Sequence, residues 1–220
     1  MYCLQAIFIF EQQKRSTIEN LISFILATAV LAISPGPDNI YVLTQSVVNG
    51  TKYGMATTAG LITGCIVHTT LLAFGVSLII KESDTLYMVL KIFGALYLLY
   101  LAYKVYQSSS AIELSDNQLP KKSLMQLFRQ GFIMNVLNPK VTIFFLAFFP
   151  GFLFSESLNT VYQFYILGFL FMAVSFIIFS AISFLAGLIS DYIKSHSAVG
   201  VYLKWLQIIV FVGIAILIII

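Results

Sequence analysis

Four side chains in this sequence pair chemistry with apolar surroundings: Asp38, His68, Asn138 and Lys140. An aspartate binds an ammonium group or a proton, a lysine holds a carboxylate, and an asparagine bridges donors and acceptors. An imidazole takes up and releases a proton near neutral pH. Asp38 comes directly after Ser34-Pro35-Gly36-Pro37 and is followed by Asn39, between the apolar runs Leu21–Ile33 and Ile40–Val48. Two prolines and a glycine within four positions break a helix, because proline lacks an amide hydrogen and clashes with the preceding turn. Asn138-Pro139-Lys140 is a second interruption in a later apolar run, and Asn135 precedes it.

Freed backbone groups and charges at membrane depth are tolerated only where protein or a water-filled cavity surrounds them. An ionised aspartate at that depth costs roughly 2.5–3.5 kcal/mol on insertion scales. Asp38 is therefore expected to be neutral, paired or wet, and switching between such states is what ion coupling requires. The alternative is a proline kink that only shapes packing. Lys140 either snorkels to the membrane surface or faces Asp38 or a substrate carboxylate, and we favour the second. Gly60, Gly64 and His68 share one helix face, with a spacing that lets a neighbouring backbone come close. His68, at the end of that stripe, serves either as a proton relay or as an interhelical hydrogen-bonding group.

The elements that must position these residues are apolar helices. The 220 residues are 60% hydrophobic and 10% charged, where a soluble domain carries about 25% charged residues, so the chain reads as a polytopic membrane protein. Six segments are long enough to span: Leu21–Val48 (broken), Gly54–Ile80, Thr85–Tyr106, Phe132–Phe154, Thr160–Ile189 and Val201–Ile220. At about 1.5 Å per residue each crosses a core of about 30 Å. The fold class expected is an all-α membrane protein of six transmembrane helices in two inverted three-helix halves, 17–106 and 122–220, with helices 1 and 4 broken by proline. Residues 1–16 read as an interfacial or disordered N-terminal extension, 17–220 as a single transmembrane domain, and 107–121 as its polar cytoplasmic loop. Lys121 to Gln130 reads as a short amphipathic stretch on the cytoplasmic surface.

Lys and Arg in the loops set the orientation. With the N-terminus outside, Lys52, Lys104, Lys121, Lys122, Arg129, Lys194 and Lys204 fall inside, against Lys14, Arg15 and Lys81 outside. Both termini are thus expected outside. Tyr97, Tyr100, Tyr103 and Tyr106, with Lys104 among them, mark the inner boundary of the third span. The net charge of +3 does not suggest a nucleic-acid partner. Cys3 and Cys65 form no C-x-x-C pair, so neither a thiol relay nor a metal site is indicated, and no cofactor is expected. No G-x-x-x-x-G-K-S/T loop is present to bind a nucleotide.

Paired interruptions in corresponding helices of inverted repeats point to a carrier's binding site. Leu90-Lys91 with Ala102, and Leu203-Lys204 with Ala215, are a faint echo of such a repeat. Ser34-Pro35-Gly36-Pro37, Gly60-x-x-x-Gly64-x-x-x-His68 and Asn138-Pro139-Lys140 together resemble the lysine exporter (LysE/RhtB) family, over about Ile18 to the C-terminus. The resemblance implies efflux of amino acids or close derivatives across the bacterial plasma membrane. Members handle basic amino acids, homoserine and threonine, or branched and sulfur-containing ones. Gly151 after Pro150 departs from the family, where many members have glutamine. The reading is a secondary exporter, not an enzyme, with an amino acid as substrate, a proton as candidate coupling ion, the lipid bilayer as surroundings and homo-oligomerisation left open. Ser34, Pro35, Gly36, Pro37, Asp38, Asn39, His68, Asn138, Pro139 and Lys140 are the candidate pathway residues, and Gly60 and Gly64 the packing ones. A passive channel is the alternative.

Overall fold

Proline and glycine punctuate the chain where the helices stop. The computed structural model describes residues 2–34, 36–109, 122–196 and 198–219, and of these the side chains other than those of residues 2–16, 81 and 194. Pro35 and residues 110–121 of the polar loop therefore lie outside the described residues. Helix α1 (Tyr2–Ile33) ends just before the first break, and α2 (Pro37–Asn49) starts after it with Pro37 in its first turn, where the missing amide hydrogen does no harm. The two axes differ by 60°. Gly50, at φ 103°, makes the sharp turn into α3 (Thr51–Leu71) and is the one described residue in the left-handed region.

A single π-helical turn, Leu72–Val76, carries α3 into α4 (Ser77–Glu82), and the apolar helix runs 30 residues from Thr51 to Ile80. Helix α5 (Asp84–Gln107) is capped by Ser83, whose Oγ accepts the Leu86 N–H at 3.2 Å. Helix α6 (Leu124–Val136) opens with a capping box in which Ser123 and Gln126 satisfy each other's amides. Helix α7 (Pro139–Phe148) follows at 50° and ends in a 3₁₀ turn, Phe149–Phe152. Three more helices complete the chain: α8 (Thr160–Phe184), α9 (Ala186–Ser195) and α10 (Val199–Ile219).

Among the described residues four helices are long and apolar enough to cross a membrane, and there are up to six spans if each bent pair, α1–α2 and α6–α7, is one. The protein is thus an all-helical, multi-pass membrane protein, as its sequence indicates. Helix α3 packs most extensively against α6 and also against α8, and α5 packs against α10. Ala102 and Ala215, the small residues of the faint internal echo, are both buried.

Two boundaries differ from the sequence reading. Lys121 to Gln130 does not form a separate surface stretch: from Leu124 onward it is the first half of the fourth span, packed along α3. The cause is a pair of glycines. A Cβ on Gly60 would run into the Phe128 carbonyl, and one on Gly131 into the Thr57 carbonyl, so the two backbones come into direct contact. Leu127 is completely buried as a result. The fifth span ends at Phe184 instead of Ile189, because Leu185, at φ −92° and ψ 11°, leaves the helical region before α9 starts.

The interior has two unlike sides. Beside α1 and α7, phenylalanine dominates: Phe24 meets Phe149 at 5.0 Å and Phe152 at 5.3 Å, and Phe145 meets Phe149 at 4.1 Å and Phe171 at 4.9 Å between ring centroids. Around α2 and the ends of α3 and α8 that flank it, hydroxyls and amides are buried beside Val42 and Leu43: Thr44, Gln45, Ser46, Thr57, Thr58 and Ser183. Ser46 and Ser183 lie with their oxygens 2.8 Å apart, in the gap left by Gly54.

Candidate functional site

The two breaks meet between these two sides. A helix that stops inside a membrane leaves its last carbonyls and the next helix's first amides without partners. Here the partners come from the residues flanking each break. Asn39 Nδ2 donates to the Ala32 carbonyl at 2.7 Å, and the Lys140 ammonium reaches across from the second break to the Ser34 carbonyl at 3.4 Å. At the second break, the Asn135 carbonyl would bond to residue 139 in a continuous helix, but Pro139 has no N–H. It accepts instead from the Asn138 N–H at 3.0 Å and from His68 Nε2 at 3.1 Å. A carbonyl only accepts, so Nε2 carries the hydrogen. His68 thus holds the end of α6 from α3, an interhelical hydrogen bond of the kind its place on the glycine stripe allows. Gly64 makes room for this: a Cβ there would lie 2.7 Å from Asn135 Oδ1.

Asn138 ties the two breaks together. Its Oδ1 accepts the Lys140 N–H at 3.0 Å, capping α7, while its Nδ2 donates to Asp38 Oδ2 at 2.9 Å. Asp38 sits in the first turn of α2, where the helix dipole favours a negative charge, and is 8% exposed. The Lys140 ammonium lies 5.2 Å from the centre of the Phe211 ring, a cation–π contact that helps to hold a lysine away from bulk water. Lys140 is therefore turned into the protein, towards the first break. Gly36 is extended, at φ −162° and ψ 177°, a conformation open to any residue. A Cβ there would stand 3.6 Å from the Lys140 nitrogen, an ordinary contact.

A cavity of about 40 Å³ lies where these groups converge. It has room for a few waters and too little for an amino acid. Among the residues singled out from the sequence, Gly36, Pro37, Asp38, Asn39, Asn138 and Lys140 line it. Ser34, Pro139 and His68 do not line it; they support the residues that do. Pro35 lies outside the described residues. Helices α3 and α8 supply a second wall, Leu61, Ile62 and Cys65 from the one and Phe171, Ser175 and Phe179 from the other, and Asn135 also lines the cavity. Cys65 is completely enclosed and its thiol is directed at the Leu61 carbonyl and at Asn135 Oδ1.

Sequence reasoning missed most of this second wall. Leu61 and Cys65 are four residues apart and share a helix face next to the glycine stripe, which is a signal in hindsight. Ser175 gave none, since single serines are common in apolar spans. Among the described residues, no group of three or more His, Cys, Asp or Glu side chains is placed to hold a metal ion.

This arrangement brings an acid, a cation and the first turn of a helix to one point. The first-turn amides of α2 and the Lys140 ammonium can hold a carboxylate, and Asp38 can hold an ammonium or a proton. The family profile described as LysE type translocator matches residues 29–220. The chain is 30% identical over 178 residues to the "Homoserine/homoserine lactone efflux protein" of Salmonella typhimurium, covering 81% of this chain and 85% of that protein. The protein of the same name from Salmonella typhi matches to the same extent, 30% over 178 residues. The "Uncharacterized membrane protein YrhP" of Bacillus subtilis is 31% identical over 144 residues, covering 62% of this chain and 69% of that one. No solved structure matches the chain.

Proposed function

The chain belongs to the LysE type translocator family, and on that premise we propose that it exports amino acids or close derivatives across the bacterial plasma membrane, driven by a proton gradient. Family membership makes it a transport protein and not an enzyme. The observation that carries the proposal is the Asp38–Asn138–Lys140 chain, which links two proline breaks from opposite halves of the sequence. An α-amino acid carries a carboxylate and an ammonium on one carbon. The start of α2 with Lys140 is the natural place for the first, and Asp38 for the second. Relatives named for homoserine and homoserine lactone efflux make a small, uncharged side chain the leading candidate.

Alternating access suits this interior better than an open pore. The cavity at the breaks, about 40 Å³, is too small for an amino acid, and the phenylalanine cluster packs the side beside α1 and α7. With both termini outside, that cluster is the outer seal, and the hydroxyl-rich side around α2 faces the cytoplasm from which substrate enters. Asp38 then takes the proton or the substrate ammonium in turn. The test is to feed cells dipeptides, so that single amino acids accumulate inside, and follow what leaves. Faster release of homoserine or threonine against their gradient, upon expression of this protein, supports the reading. Release that only ever runs down the gradient makes it a facilitator, and no change in release of any amino acid refutes it.

A further inference from the structure

We infer that Ser175, on α8, reads the substrate's side chain by hydrogen-bonding to a hydroxyl or similar small polar group carried there. This rests on the export reading above and deepens it. The lining includes two chemical sets: Asp38, Asn138 and Lys140 with the start of α2, and the apolar Leu61 and Ile62 of α3 with Phe171 and Phe179 of α8. The first set suits the charged groups that every α-amino acid shares, so it cannot tell one amino acid from another. Discrimination has to come from the second set. Ser175 lines the cavity with that set, is 2% exposed, and its Oγ has no hydrogen-bond partner.

A serine or threonine in an apolar helix ordinarily bonds back to the carbonyl one turn earlier. This bundle follows that habit at Ser46, Thr57, Thr63 and Thr69, whose hydroxyls donate to the carbonyls of Val42, Tyr53, Ala59 and Cys65. On α8 itself, Ser183 donates to the Thr51 carbonyl and meets Ser46. The hydroxyls of Thr28, Ser34, Tyr41, Thr58 and Ser180 are also buried without a partner, but of these residues and Ser175 it is Ser175 that lines the cavity. A buried hydroxyl without a partner is unfavourable unless a ligand supplies the missing bond. A site built this way rejects an analogue lacking the matching polar group far more strongly than an apolar pocket rejects one extra methylene. The substrate implied has a short side chain, apolar along Leu61 and Phe179, with one hydroxyl-type group at Ser175.

The test uses the full chain in proteoliposomes and pairs of amino acids that differ by the hydroxyl: homoserine against 2-aminobutyrate, and threonine against valine. For the wild type, the hydroxylated member is expected to compete at least about tenfold better for counterflow, by the worth of one satisfied buried hydrogen bond. In Ser175→Ala the ratio within each pair is expected to fall towards one, and Ser175→Thr, which keeps the hydroxyl, is expected to restore it. An unchanged ratio in Ser175→Ala overturns the inference. So does an equal loss for both members of a pair, which assigns Ser175 a packing role, and so does a wild type that ignores the hydroxyl. If the wild type carries no amino acid at all, the export reading itself fails and takes the inference with it.

Discussion

Replacing Asn138 separates the two bonds by which it joins the halves of the protein. Asn138→Ser keeps an oxygen that can accept the Lys140 N–H and so keeps the cap on α7, but it loses the donor that now reaches Asp38 at 2.9 Å. Asn138→Ala loses both. A helix cap is worth about 1 kcal/mol. A hydrogen bond to a charged group is worth about 1.5–3 kcal/mol in general, while interhelical bonds in membrane proteins average about 0.6 and reach about 1.7 kcal/mol. Taking about 1–2 kcal/mol for the Asp38 bond, Asn138→Ser should destabilise by that amount and Asn138→Ala by about 2–3 kcal/mol. Both are measurable as a fall in thermal midpoint of the purified protein in detergent, followed by fluorescence-detected size exclusion. The decisive step is a double-mutant cycle with Asp38→Ala, read with Asn138→Ser so that the cap is constant. A coupling of about 1–2 kcal/mol is expected. A coupling near zero, with both single variants folded, would refute the bridge between the breaks.

Three further outcomes follow from the same geometry. Gly60→Leu drives a side chain into the backbone carbonyl of Phe128, which cannot swing away; folded yield should drop severely, while Gly75→Leu, with nothing within 4 Å of its Cβ position, should be tolerated, and equal yields would show that α3 and α6 do not touch there. Asp38→Asn keeps the size of the side chain but removes its charge and titration: the variant should still exchange substrate in counterflow, with weakened binding, yet fail to export uphill under a proton gradient. Retained uphill export would end the coupling role. A cysteine introduced at Ser110, in the polar stretch of the sequence, should resist an impermeant reagent applied to intact cells; ready labelling would reverse the orientation proposed here.

What the sequence disclosed and what it hid have physical reasons. Proline acts on its own backbone, so the breaks at Pro37 and Pro139 could be read without knowing their neighbours. The glycine stripe at Gly60 and Gly64 announced a close approach, because helix periodicity puts these positions on one face. The stripe did not say which helix approaches, and the answer, α6, overturned the surface reading of the stretch that begins it. Lys122, Gln126 and Arg129 are polar, as they would be on a surface helix, but Leu127 and Gly131 face α3. Polar residues at the membrane end of a span and on a surface helix look alike in one dimension. The Asp38–Asn138 bond joins residues 100 apart, a contact that only the packing of the two halves creates. Ser175 was silent for the same reason, since whether a hydroxyl has a partner depends on the neighbouring backbone and on what its helix faces.

Export as proposed here requires that substrate binds where the two breaks meet. Equilibrium binding of radiolabelled homoserine to the purified protein tests this most directly, comparing wild type with Asp38→Asn, Lys140→Met and, as a control away from the cavity, Ser46→Ala. Charged hydrogen bonds of about 1.5–3 kcal/mol correspond to a weakening on the order of 10- to 100-fold. That loss is predicted for each of the two charge variants, with the Ser46 variant binding as the wild type does. Wild-type affinity in both folded charge variants would contradict the claim and place the substrate elsewhere in the protein.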